Sequence, residues 1–436
     1  MKSRMRWRLW VVLSLVGYVL LVHIPRNDSA SLLAIWGALF ALYGVAMYFK
    51  AEERAFPLLV SAAVIFRVIG MTTLPTLSDD VYRFIWDGRL LAHGYNPFLY
   101  LPTDIIGSDI ATTAELTDAL LQKLNSPEYY TIYPPILQGW FWVVAKISSS
   151  EMGAVFWLRL PIFLGEVASI WLVYHLLKEF GKDNNAARRG TLLYALNPLV
   201  VIELTANIHY EGLTICFLLA GLYYFKKSKA NFSATFLGLA AGVKLLPLIF
   251  LPALLDKKHL LKSTRYYLIS GGIVLIPFVS FFDSLVIERF STSLDLYFRR
   301  FEFNAGLYYG LRDTGTFILG YNPIATIGPL LAIVSLSMIL FFSWTNRFTL
   351  SLPERWLWVL TTYLFCATTV HPWYVIPLVA LSVLTRFRFP LLWSALLILT
   401  YTAYGNVPFQ ENGWVVALEY LVVWSFMRWE IRSNIR

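Results

Sequence analysis

The chain has 436 residues, of which 58% are hydrophobic, 17% aromatic and 14% charged, with a formal net charge of +9. A soluble globular domain carries about a quarter charged residues, so this composition excludes one. Apolar runs of about 16 to 23 residues recur from end to end, the length of a helix crossing a bilayer core, and the short alternating strands of a membrane β-barrel are missing.

The first run, 7–22, follows Lys2, Arg4, Arg6 and Arg8. It is followed by His23-Ile24-Pro25-Arg26, with no small-residue cleavage site. It therefore reads as a retained first helix with its N-terminus in the cytoplasm. Further spans are predicted at 31–49, 56–73, 154–177, 190–206, 212–225, 264–282, 324–343, 355–370, 373–385, 390–405 and 413–427. Together they make an all-α polytopic membrane protein of about 12–14 transmembrane helices, a single membrane-embedded domain over 1–436. Neither an internal repeat nor a low-complexity stretch stands out.

Two segments break simple counting. The stretch 132–148 opens on Pro134-Pro135 and carries Gln138 and Lys146, so it is expected to dip into the membrane, to lie at its interface, or to have a short partner helix hidden nearby. The stretch 232–255 has lysines on both flanks and Lys244 in its middle. A broken hairpin of two short helices, with Lys244 and Pro247 at its tip, accommodates both facts; irregular backbone at depth is tolerated where protein or water covers it. Basic residues at 50–54, Arg347, Arg386, Arg388 and 428–436 then fall inside, as the positive-inside rule expects, and the positive charge needs no nucleic acid. The outer side collects 74–131, 206–212, 283–323, 371–374 and 406–413. The unusual polar chemistry thus gathers on one face, which argues for an outward-facing active site.

The richest polar segment is Ser78-Asp79-Asp80-Val81-Tyr82-Arg83-Phe84-Ile85-Trp86-Asp87-Gly88-Arg89. Ionisable groups at a membrane boundary need partners, water or a function. Asp80, Arg83 and Asp87 share one helical face, and the helix is expected to be amphipathic and to lie along the membrane surface. Ser78 is a candidate N-cap, and Asp79 and Asp80 would also suit the helix dipole. Gly94-Tyr95-Asn96-Pro97-Phe98 reads as a turn with an aromatic wall, and Thr131-Ile132-Tyr133-Pro134-Pro135 as a helix start. His209-Tyr210-Glu211, with Glu203 upstream, is either a polar loop, a metal site or a holder of a sugar hydroxyl; its spacing fits no zinc pattern. The segment 289–312 carries Arg289, Arg299, Arg300 and Arg312 among aromatics on the outer side, against the positive-inside bias. Guanidinium groups there would fork onto a phosphate or anchor lipid headgroups, and Lys244 is a second phosphate candidate unless it snorkels. Cys216 and Cys366 both fall in apolar runs and imply neither disulfide nor metal.

The ordered set Ser78–Arg89, Gly94–Phe98, Thr131–Pro135, Asn197-Pro198, His209-Tyr210-Glu211-Gly212 and Gly242-Val243-Lys244-Leu245-Leu246-Pro247 resembles the GT-C superfamily of polytopic glycosyltransferases. Within it the chain is similar to the bacterial polyprenol-phosphate-mannose-dependent mannosyltransferases. The resemblance covers 78–255, roughly half the chain, and is weak beyond 283. It implies a GT-C fold with juxtamembrane helices in the first large outer loop, and an inverting transfer from a polyprenyl-phosphate sugar, mannose before an aminosugar, to a glycan or lipid hydroxyl. The site would lie on the outer face of the inner (plasma) membrane. The resemblance puts the catalytic base at Asp80, with Asp79 as its rival. Arg83, Asp87, Asn96, Tyr133, His209, Glu211 and Lys244 are candidates for substrate binding, and Arg299, Arg300, His371 and Tyr374 join them from the residue reading alone. Because a lipid monophosphate leaving group needs little metal help, no cofactor is expected, although the Asp79-Asp80 pair could hold a divalent ion. A lipid or glycan transporter and a non-catalytic scaffold are the readings from other classes.

Overall fold

The computed structural model describes residues 2–49, 53–256, 258–345 and 350–435, without the side chains of 2–4, 297–299 and 435. Lys50, Lys257, Arg347, Arg436 and the Arg299 side chain, all used in the topology above, lie outside the described residues. The described chain is all-helical, and its one bridge of β type joins Phe303 to Thr369. By length and composition four helices can cross a membrane: Ser29–Tyr48, Glu151–Glu179, Leu260–Phe281 and Ile324–Trp344. Pro198–Ala206 and Glu211–Lys226, bent by 114°, form a fifth if taken as one broken span, and Ala230–Val243, Pro372–Val383 and Phe389–Gly405 are shorter apolar helices. Along Ile324–Trp344, Ile333, Val334 and Leu336 are exposed while Gly328, Leu331, Ser335 and Ile339 are buried. An apolar outer stripe of this kind suits hydrocarbon, not water.

The two irregular segments fold as their residues suggest. Ala230–Val243 ends where Lys244 turns extended, and a 3-10 stretch, Leu246–Leu254, returns after it. Lys244 therefore sits at a hairpin tip. Pro135–Ile147 starts with proline at its first position, where a missing N–H costs nothing. It packs along Asp80–Ala92 and does not stand alone at an interface. Along Asp80–Ala92, Val81, Arg83, Phe84, Ile85, Trp86, Asp87, Gly88 and Leu90 are all buried, so protein covers both its apolar and its polar faces. Phe84 stacks on Phe141 at 4.7 Å, and Gly88 lies against the Phe141 carbonyl, which leaves no room for a side chain.

The long helix Glu151–Glu179 packs against Glu211–Lys226 and Asn184–Ala195. Within this core Arg67 Nε donates to Glu166 at 2.6 Å, both side chains fully buried, and Thr205 donates to the same carboxylate. Arg159 donates to the carbonyls of Thr73 and Ala206. Asn207 Oδ1 accepts the N–H groups of Thr76 and Leu77 at 3.2 and 2.9 Å. These bonds tie the bend at 202–210 to the loop 73–77, which delivers Asp79 and Asp80 to their place.

Candidate active site

Asp80–Ala92 begins at the edge of a cavity of about 360 Å³. Its lining comes from segments far apart in the chain: Arg26, Ser78 to Asp80 and Arg83, Asn125 to Tyr133, Lys244, Phe301 to Phe303, Thr369 to Tyr374, Tyr404 and Phe409. Most of these residues belong to segments that the topology puts outside, while Ile132, Tyr133, Thr369 and Tyr404 come from the ends of predicted apolar segments. Lys244 reaches the same place from the hairpin tip.

The two neighbouring aspartates are treated differently. Asp79 forms an ion pair with Arg26, whose guanidinium lies 4.9 Å over the Tyr404 ring. Asp80 makes no ion pair among the described residues; its Oδ1 accepts from Asn125 Nδ2 at 2.7 Å. Neither acts as a conventional cap. The helix starts at Asp80, Asp79 makes no capping bond, and Ser78 Oγ accepts only the Asp80 N–H at 3.3 Å.

Arg83 and Asp87 form the expected i, i+4 pair at 2.8 Å, but inside the protein. Arg83 also donates to the carbonyls of Ser126 and Tyr129, and Gln138 donates to the other Asp87 oxygen at 2.8 Å. Asp87 is fully buried and off the cavity. Of the pair expected to contact substrate, Arg83 lines the cavity and Asp87 does not; together they clamp 126–129 against the helix and so hold Asn125 beside Asp80. Asn96 is also off the cavity, capping Pro97–Leu99 and donating to the Phe281 carbonyl at 3.1 Å.

Tyr133, Lys244 and Tyr374 line this cavity and also a smaller one of about 160 Å³. Lys244 Nζ lies 2.9 Å from Glu211 and 5.9 Å from the Tyr133 ring centre. Glu211 faces the smaller cavity. A third, mostly apolar cavity of about 340 Å³ runs between Ile324–Trp344 and Leu352–Cys366, lined by Leu294, Gly328, Ala332, Leu336, Ile339, Tyr363 and Cys366. Ile132 and Tyr374 line all three, which therefore adjoin.

Four rings stack behind the polar cavity. Phe303 lies 4.7 Å from His371, His371 4.4 Å from Trp373, and Trp373 3.7 Å from His209. His209 is at the buried end, its Nδ1 2.7 Å from the Glu203 carbonyl, and does not reach the cavity. His371 does reach it. Burial holds its imidazole down at about 4, against the opposing pull of Asp80 and aided by His209 and Lys244, so it is neutral at neutral pH. Its Nδ1 is buried without a partner.

The outer arginines do not converge as expected. Arg289 donates to the Leu99 carbonyl, Arg312 pairs with Glu302 and Asp313, and Arg300 is exposed and off the cavity. A local carbonyl engages Arg289 and local carboxylates engage Arg312. Glu302 lines the cavity and stays anionic: burial raises its pKa, but hydrogen bonds from Tyr308, Asn322 and Arg312 outweigh that and leave it low. Arg26, Asn125, Trp373, Tyr404 and Phe409 were missed as site residues. None of them belongs to a motif that marks it: Trp373 and Tyr404 lie in the 3-10 helices Pro372–Val375 and Leu397–Gly405, and only the fold brings all five to the cavity that holds Asp80. Among the described residues no three His, Cys, Asp or Glu side chains group to hold a metal ion.

The helices and cavity define a polytopic membrane protein with a polar cavity next to an apolar groove. Residues 11–256 match the profile described as "Alpha-(1->6)-mannopyranosyltransferase, N-terminal domain", and the chain belongs to that family. It is 28% identical over 173 residues to alpha-(1->6)-mannopyranosyltransferase B of Corynebacterium glutamicum, covering 37% of this chain and 27% of the relative. It is 25% identical over 254 residues to alpha-(1->6)-mannopyranosyltransferase A of Mycobacterium tuberculosis, covering 57% and 47%. The matched stretch thus spans between about a quarter and a half of these relatives' length. No solved structure matches.

Proposed function

We propose that this chain is an inverting mannosyltransferase that works at the outer face of the plasma membrane on a polyprenyl-phosphate-mannose donor. The observation that carries this reading is the position of Asp80, a carboxylate free of ion pairs among the described residues, on a polar cavity that adjoins an apolar groove. Family membership supports mannose, and the relatives' names supply the α-(1→6) linkage.

Asp80 accepts the proton of the acceptor hydroxyl as that oxygen attacks the anomeric carbon. The bond from that carbon to the phosphate oxygen breaks on the opposite face, and the electron pair leaves with the lipid phosphate. A β-linked donor then yields an α-linked product. Lys244, which lines both the polar cavity and the smaller cavity that adjoins it, meets the growing phosphate charge, the role expected first of Arg299 and Arg300. The polyprenyl chain lies in the cavity between Ile324–Trp344 and Leu352–Cys366. No metal enters this scheme.

The test is transfer of radiolabelled mannose from polyprenyl-phosphate-mannose in membranes carrying wild type, Asp80→Asn or Asp79→Asn at equal levels, with EDTA in parallel. Loss of about 10²–10⁴-fold in Asp80→Asn, a smaller loss in Asp79→Asn, and no response to EDTA are expected. Equal activity of Asp80→Asn and wild type would move the base elsewhere. Transfer only from another polyprenyl-phosphate sugar would refute mannose.

A further inference from the structure

We infer that Arg26, Asp79 and Phe409 form the subsite for the acceptor glycan and read two neighbouring hydroxyls on its terminal hexose. This inference rests on the transferase reading above. Neither the groove nor the smaller cavity touches Arg26, Asp79, Tyr404 or Phe409, while all four line the polar cavity. A donor seated tail-first in the groove leaves that end to the second substrate.

The chemistry at that end suits a sugar. The Arg26 and Asp79 side chains are 33% and 31% exposed, so an entering molecule reaches both. One guanidinium nitrogen binds one Asp79 oxygen, and the other Asp79 oxygen has no partner among the described residues. The pair therefore offers spare N–H donors beside a spare carboxylate acceptor. Adjacent hydroxyls match that arrangement, one accepting from Arg26 and the next donating to Asp79. The Tyr404 ring under Arg26 holds the guanidinium in place before the sugar arrives. Phe409, 50% exposed and 5.1 Å from Tyr404, adds an aromatic face beside the pair, the usual mixture in a small-molecule site. Asp79 and Asp80 are chain neighbours, so a hexose gripped by the first sits next to the base.

The test uses purified full-length protein and methyl α-(1→6)-dimannoside. Calorimetric titration without donor is expected to show binding by wild type, about ten-fold weaker binding by Arg26→Gln and Phe409→Ala, and partial recovery in Arg26→Lys. In the transfer assay Arg26→Gln should raise the acceptor KM about ten-fold and leave the donor KM within about two-fold. Unchanged titration in Arg26→Gln would overturn the subsite, as would a shift in donor KM alone or wild type that does not bind the dimannoside. Arg26-dependent binding by a wild type that transfers no mannose would uphold the subsite and sink the transferase reading instead.

Discussion

At the scale of single residues, the tandem aspartates differ through their partners. Arg26 pairs with Asp79 from 53 positions away, and Asn125 reaches Asp80 from 45. Nothing in the local sequence separates the two carboxylates, so the resemblance left the base open between them. His371 was legible as a candidate from its outer position, but its neutrality comes from burial among rings. A histidine of ordinary pKa near 6.5 when unfolded and about 4 when folded makes the unfolded chain the better proton binder in between. Its contribution to stability is thus full above about 6.5 and is lost as pH falls toward about 4. Melting in detergent should therefore decline more steeply over that window for wild type than for His371→Gln, which cannot titrate. Parallel declines would show that His371 is not the group responsible.

At the scale of elements, the Asp80–Ala92 helix and its partner Pro135–Ile147 act as one unit. The i, i+4 spacing of Arg83 and Asp87 was readable directly, because helix geometry alone brings such residues together. Their burial was not, since it depends on Gln138 and on the carbonyls of Ser126 and Tyr129 arriving from elsewhere. Removing one partner of a buried pair strands the other charge, so Asp87→Ala is expected to destabilise by about 3–5 kcal/mol. Thermal melts of purified protein measure this; a shift within error would mean that water reaches Arg83. Gly88→Ala puts a methyl into the Phe141 backbone and should cost about 1–3 kcal/mol by the same measurement. Lys244 at the tip of a broken hairpin was also foreseen, because lysines on both flanks and in the middle of one apolar stretch admit few other foldings.

At the scale of the molecule, the polar cavity that holds Asp80 adjoins a mostly apolar groove. The groove has Ile324–Trp344 and Leu352–Cys366 as its two walls. Its floor of Gly328 and Ala332 on Ile324–Trp344 keeps it open. Ala332→Trp is expected to raise the KM for a full-length polyprenyl donor about ten-fold or more, and to spare a ten-carbon analogue whose tail ends short of the groove. Kinetics with the two donors decide this, and equal effects on both would place the tail elsewhere.

The sequence by itself determined the membrane class, the helical architecture and the broken hairpin, because hydropathy, lysine placement and proline act locally. It also carried the ordered motifs that place Asp79, Asp80 and Lys244 in one family pattern. Only the tertiary structure decided which aspartate is paired, that Asp87, Asn96 and His209 lie off the polar cavity, and that Arg26, Asn125, Tyr404 and Phe409 line it. Those outcomes rest on contacts between segments up to hundreds of residues apart. Local spacing cannot encode them, because they depend on how the helices pack.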